Sequence, residues 1–121
     1  MTEIKNYKQY NLEDRTLSFA RRVRSFVKKV LRTIGNIEDG KQLIRSSGSV
    51  GANYIEANEA LSKKDFLMRI KICRKEAKES RYWLNLMDLE NNLEVEKECL
   101  GLTKEAGELM NIFGAIIIKS T

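Results

Sequence analysis

The sequence predicts an all-α protein, folded as an antiparallel up-down-up-down four-helix bundle. Three observations carry that prediction. None of the 121 residues is proline, the residue that breaks helix interiors. Apolar residues recur in alternating steps of four and three over four long stretches, the spacing of one helical face. The breaks between those stretches are short, which makes consecutive helices neighbours in a bundle. No stretch alternates with the period-two pattern of a strand.

The first helix is expected over about 12–34, where Leu12, Thr16, Phe19, Val23, Phe26, Val30 and Ile34 form the stripe. Asn11 suits its N-cap, with Asp14 three residues on, and Gly35 and Asn36 suit its end. The second, over about 39–60, places Leu43, Ser47, Val50, Tyr54, Ala57 and Leu61 on one face. The third, over about 63–90, opens on the capping pattern "SKKD" and buries Phe66, Ile70, Cys73, Ala77, Ser80, Leu84 and Met87. Asn91 and Asn92 interrupt the rhythm. It resumes over about 93–119 at Val95, Cys99, Leu102, Ala106, Leu109, Phe113 and Ile116. All 121 residues belong to one domain.

The segment "RSSGSVGANYIEA" (45–57) looks locally like a phosphate-cradling loop. Such a loop needs a strand before it and Lys-Ser/Thr after it, and this chain offers neither. Its glycines instead lie at helical spacing on a second face with Ile44 and Ile55, where each costs about 1 kcal/mol relative to alanine. That face is read as a thin flank against which another helix packs closely.

Chemistry of the usual kinds is hard to place. There is no histidine, so the commonest general base and metal ligand is missing. Glu76 and Glu79 share a helical face, but a helical dimetal site also needs a Glu-x-x-His motif. Arg45, Asn53, Glu56, Glu76 and Glu79 are therefore assigned to a polar network that fixes helix register. No catalytic residue, cofactor or metal is expected, and the chain is read as non-enzymatic.

The net charge is +5 and the isoelectric point about 9.3, an argument for anionic partners rather than for a fold. Arg21, Arg22, Lys28, Lys29 and Arg32 crowd the first helix away from its core stripe, and Arg74, Lys75 and Lys78 the third, with Tyr82 beside them. The fourth helix is acidic, with Glu94, Glu96, Glu98, Glu105 and Glu108. The basic residues are the candidate nucleic-acid contacts, binding phosphates without reading sequence. Apolar residues outside the stripes, among them Leu31, Trp83, Leu86 and Ile118, are the candidate oligomer interface. Cys73 and Cys99 sit at core positions as free thiols, which fits a reducing cytoplasm. The start "MTEIKNYKQY" lacks an apolar secretory core, and the longest fully apolar run, "AIII" (115–118), is too short to span a membrane.

Three segments, "LEDRTLSFA" (12–20), "GKQLIRSSGSVGANYIEA" (40–57) and "DFLMRIKICRKEAKESRYWL" (65–84), resemble the four-helix-bundle family of ribosomal-RNA intervening-sequence proteins. Matching positions include Gln42, Arg45, Ser46, Ser49, Asn53, Glu56, Phe66, Lys75, Glu76, Ala77, Glu79, Tyr82, Trp83 and Leu84. Cys73 and Arg69 are mild departures. The resemblance implies a ring-like homopentamer, and it extends to the accessory variability determinant of diversity-generating retroelements, which binds nucleic acid and a reverse transcriptase. It brings no catalytic residues. The leading expectation is a non-enzymatic oligomer that binds RNA or DNA. The alternative is a protein-interaction scaffold, for example an accessory to a reverse transcriptase.

Overall fold

A computed structural model describes residues 11–121. The amino-terminal segment discussed above for its lack of a secretory core lies outside them. Four helices follow one another: α1 (Leu12–Lys29), α2 (Ile34–Asn58), α3 (Lys63–Leu86) and α4 (Leu93–Ser120). There is no strand among the described residues.

Each helix opens on a side-chain cap. Asn11, Thr33, Ser62 and Asn92 accept hydrogen bonds from the backbone N–H three residues on, at 3.2, 3.0, 3.1 and 3.2 Å. Each satisfies one of the orphan donors of a first turn.

The caps correct the expected boundaries. The first helix stops at Lys29 rather than 34, because Val30 turns extended and Thr33 starts a new helix. Gly35 and Asn36 thus open α2, which begins five residues before the expected 39. The apolar rhythm ran on through Val30 and Ile34, but Val30 is buried from an extended backbone while Ile34 is 84% exposed. Likewise α3 ends at Leu86, not 90: Met87 is extended but still buried, and Glu90 and Asn91 turn the chain with φ of 51° and 57°. Asn92, read as a break, is the cap of α4.

Inside these limits the stripes meet in one core. Phe19, Val23 and Phe26 of α1, Leu43 and Val50 of α2, Ile70, Cys73, Ala77 and Leu84 of α3, and Leu102, Leu109 and Phe113 of α4 are all essentially inaccessible. Burial of a side chain of this kind contributes roughly 1.5–3 kcal/mol relative to exposure. The helices pack in a cycle, α1 on α2, α2 on α3, α3 on α4 and α4 on α1. α1 and α3 therefore occupy diagonal corners.

The thin flank of α2 faces α1. A Cβ on Gly51 would stand 2.8 Å from Thr16 Oγ1, and one on Gly40 would stand 3.2 Å from Val27 Cγ1. Gly48 is covered instead by the Arg24 guanidinium.

Candidate nucleic-acid interface

The expected basic residues Arg21, Arg22, Lys28, Lys29, Arg32, Arg74, Lys75 and Lys78 are all exposed. They do not form one surface. Those of α1 and those of α3 lie on diagonal helices, and Arg32 belongs to the α1–α2 connection rather than to a helix.

Of the α1 group only Lys29 forms an ion pair; Arg21, Arg22, Lys28 and Arg32 form none among the described residues. Where α1 borders acidic α4, Arg15 and Lys29 are paired. Arg15 grips both carboxylate oxygens of Glu105 at 2.8 Å and reaches Glu108 at 2.8 Å. Hydrogen bonding to Glu105 leads the shift that holds the Arg15 guanidinium even more firmly protonated than usual, against the opposing effect of burial. Lys29 pairs with Glu98 at 3.1 Å, and the Arg22 guanidinium lies over Gly101 of α4. The outer stripe of α3 has no such pair. Lys64, Lys71, Arg74, Lys75 and Lys78 are exposed, and none forms an ion pair among the described residues. Tyr82 continues that stripe, 57% exposed.

Behind the stripe, α3 is tied to α2 by polar contacts. Arg45 forms ion pairs with Glu76, at 3.4 Å, and with Glu79. Glu79 also accepts the indole N–H of Trp83 at 3.1 Å. Burial alone would push the Glu79 carboxyl up, but the Trp83 N–H and the Arg45 guanidinium together outweigh it and hold the group below the ordinary carboxylate value. Asn53 donates to Ser49 and accepts from Arg69 at 3.0 Å. Of the five residues assigned to this network, Glu56 stands apart: it points to solvent and forms no side-chain hydrogen bond among the described residues. It lies on the same helical face as Arg45 and Asn53, so type and angle alone did not exclude it; it simply has no cation paired with it among the described residues.

Sequence reasoning missed several participants. Ser46 and Ser80 share a 2.8 Å hydroxyl–hydroxyl bond inside the core. Both are small polar residues on apolar faces of facing helices, and that pairing was the available signal. Asn36, taken for a helix terminator, is 3% exposed. Its amide donates to the carbonyls of Leu31 and Asp88 at 2.9 and 2.8 Å and accepts from Asp88 N at 2.9 Å. It joins the α1–α2 connection to the α3–α4 connection.

Leu31, Leu86 and Ile118 are exposed, at 47%, 48% and 76%, but they are not gathered into one patch. Leu31 and Leu86 sit at the end of the bundle that Asn36 ties together. Ile118 sits at the other end. Trp83 is half-buried against the core, with its N–H satisfied within the chain.

A hollow of about 600 Å³ opens beside the α3–α4 connection among Met87, Asp88, Leu89, Glu90, Glu96, Cys99 and Leu100. No group of His, Cys, Asp or Glu suited to a metal exists among the described residues. Burial pushes the Cys73 thiol up to about 12 and raises that of Cys99, so neither is a ready nucleophile.

The 23S rRNA-intervening sequence protein family matches the chain over residues 8–115. The chain belongs to that family. A solved structure from Bacteroides thetaiotaomicron, a protein of unknown function from the S23 ribosomal protein family, resembles this chain with a TM-score of 0.71 and 30% identity. The likeness covers 87% of this chain and 96% of that one. No curated protein matches. The segments that carried the resemblance in the sequence, 40–57 and 65–84, form the α2–α3 seam of this family member, with its polar ties and packed flank.

Proposed function

We propose that this protein is a non-enzymatic helical bundle that binds the phosphate backbone of nucleic acid, without sequence readout, and does so chiefly through the outer stripe of α3. The observation that carries this is the row Lys64, Lys71, Arg74, Lys75 and Lys78, five exposed cations along one line of α3 with no ion pair among the described residues, whereas Arg15 and Lys29 of α1 are paired with α4. Cations that neutralise phosphates release the counterions condensed on the nucleic acid, and that release drives non-specific binding. The α1 face, through Arg21, Lys28 and Arg32, is a second and weaker contact.

An antiparallel up-down-up-down arrangement fits the cross-helix pairings. Residues early in one helix meet residues late in its neighbour, as in Glu13 of α1 with Asn58 of α2 and Arg69 of α3 with Asn53 of α2. Assembly into a ring-like homopentamer is part of the same reading. A ring needs two different patches per subunit, and the exposed leucines at one end and Ile118 at the other supply them. Five copies would multiply the +5 charge of one chain. The buried free thiols suit the cytoplasm.

The test is a binding titration with structured RNA and duplex DNA across salt, on wild type and on a variant with Lys71, Arg74, Lys75 and Lys78 changed to Glu. The expected result is binding whose affinity falls steeply with salt, and its loss in the variant. No retention of either nucleic acid at low ionic strength sinks the proposal. Retention of a reverse transcriptase without nucleic acid favours the scaffold role instead.

A further inference from the structure

We infer that Tyr82 is a stacking platform for an unpaired base, so that the ligand of the α3 stripe is a single-stranded segment of RNA or DNA rather than a duplex. The inference rests on the phosphate-binding proposal for the same face and names what that face selects. Lys71, Lys75, Lys78 and Tyr82 follow one another in steps of four, three and four, so they share a line along about 16 Å of helix axis. An aromatic ring in line with phosphate-binding cations is the arrangement by which single strands are held: cations track the backbone and the ring takes a base.

The ring is exposed and braced. Tyr82 stands 57% accessible, and no hydrogen bond engages its hydroxyl among the described residues. Trp83 meets it edge-to-face, with ring centroids 5.0 Å apart and planes at 75°. Trp83 is itself fixed, because its N–H is held by Glu79 and Glu79 is paired with Arg45 across the α2–α3 seam. The polar seam thus does more than set register. It positions Trp83, and Trp83 limits the freedom of the Tyr82 ring. A braced ring loses less entropy when a base stacks on it. A duplex keeps its bases stacked inside and offers the ring none away from its ends.

The experiment compares a single-stranded RNA, a single-stranded DNA of the same sequence and the matching duplex. Each is titrated into wild type, Tyr82→Ala and Tyr82→Phe, with helix content followed by circular dichroism. Tyr82→Ala is expected to weaken single-strand binding roughly tenfold, since loss of one stacked base typically costs between about 5- and 150-fold. Duplex binding is expected to change less than about twofold, and the salt slope to stay the same because no cation is lost. Tyr82→Phe is expected to bind as wild type does. The single tryptophan of the chain gives a second readout. Single strands should quench Trp83 emission in wild type and in Tyr82→Phe, and much less in Tyr82→Ala.

If wild type binds but Tyr82→Ala loses nothing, or loses single strand and duplex equally, the platform is overturned while phosphate binding stands. If Tyr82→Ala instead shifts the solution mass at unchanged single-strand affinity, the ring serves a subunit contact, and the platform is overturned. If wild type binds none of the three, both proposals fall.

Discussion

Gly51 of α2 lies so close to Thr16 of α1 that a Cβ on residue 51 would stand 2.8 Å from the threonine hydroxyl and 3.2 Å from its Cβ. Thr16 cannot swing clear. It is 1% exposed, and its hydroxyl already donates to the Leu12 carbonyl at 2.7 Å. Gly51→Ala is therefore expected to destabilise the fold by about 1–2 kcal/mol. Overpacking costs typically 1–3 kcal/mol, and the gain in helix propensity of about 1 kcal/mol offsets only part of it. Gly114, also in a helix, has no atom within 4 Å of a Cβ, so Gly114→Ala should stabilise by up to about 1 kcal/mol. Urea unfolding of the two variants checks the contrast. Equal stabilisation by both would mean that α1 and α2 are not held as closely as described.

A second prediction concerns Asn36. Its side chain bonds to the α1–α2 and α3–α4 connections, and Asn36→Ala leaves the carbonyls of Leu31 and Asp88 and the N–H of Asp88 without that partner. A buried group left unpaired costs about 1–3 kcal/mol, so a loss of roughly 2–3 kcal/mol is expected. Amide exchange should quicken first at 30–36 and 87–92. Unchanged stability would show that water replaces the amide without penalty.

These two positions mark where the sequence could and could not be read. The core was legible because a period of 3.6 is imposed by geometry: every stripe residue from Leu12 to Val30, and from Ile70 to Met87, is buried as the spacing requires. The thin flank of α2 was legible because glycine in a helix carries a cost that packing must offset, and the partner proved to be α1. Helix ends were less legible. Val30 and Met87 keep the apolar rhythm from extended backbone, so periodicity alone ran past the true ends at Lys29 and Leu86. Asn36 failed for a related reason, since its long-range bonds to Asp88 leave no trace in local pattern. The network on α2 and α3 was legible in part, for side-chain type and helical angle suggest Arg45 with Glu76 and Glu79. The pairing of Arg15 and Lys29 with α4 was not, because it depends on which helices end up adjacent.

Acid should weaken the α2–α3 seam. The Glu79 carboxyl sits below its ordinary value in the folded chain, held there by Trp83 and Arg45 against burial. A depressed folded value means that its stabilising effect is full above the unfolded carboxylate range and is lost as pH falls through the folded value. Stability is thus expected to decline from about pH 5 downward. The decline should be shallower in Glu79→Gln, which has no charge to lose. Urea unfolding at a series of pH values measures this, with Trp83 emission as a local report. Identical acid limbs in the two proteins would exclude Glu79 as a contributor.

The thiols make a separate prediction. Cys73 is fully buried, with its thiol pushed up to about 12, and Cys99 is 7% exposed and also raised. Thiolate is the reactive form, so neither should react with a disulfide reagent at pH 8 in the native protein. Both should react once the chain is unfolded in denaturant. Rapid native labelling of Cys73 would mean that the centre of the core opens readily.

The last prediction separates the two basic helices by salt dependence. Each phosphate contact contributes about 0.7–0.9 to the slope of log affinity against log salt. Lys78 has no carboxylate partner among the described residues, so Lys78→Gln should lower the slope by about that amount and leave stability within about 0.5 kcal/mol. Lys29 is already paired with Glu98 at 3.1 Å. To meet a phosphate it must first give up that carboxylate, so Lys29→Gln should change the slope little. It should instead cost up to about 1 kcal/mol of stability, the scale of an exposed ion pair. A larger slope change for Lys29→Gln than for Lys78→Gln would move the primary contact from α3 to α1, and with it the reason for assigning the ligand to the Tyr82 stripe.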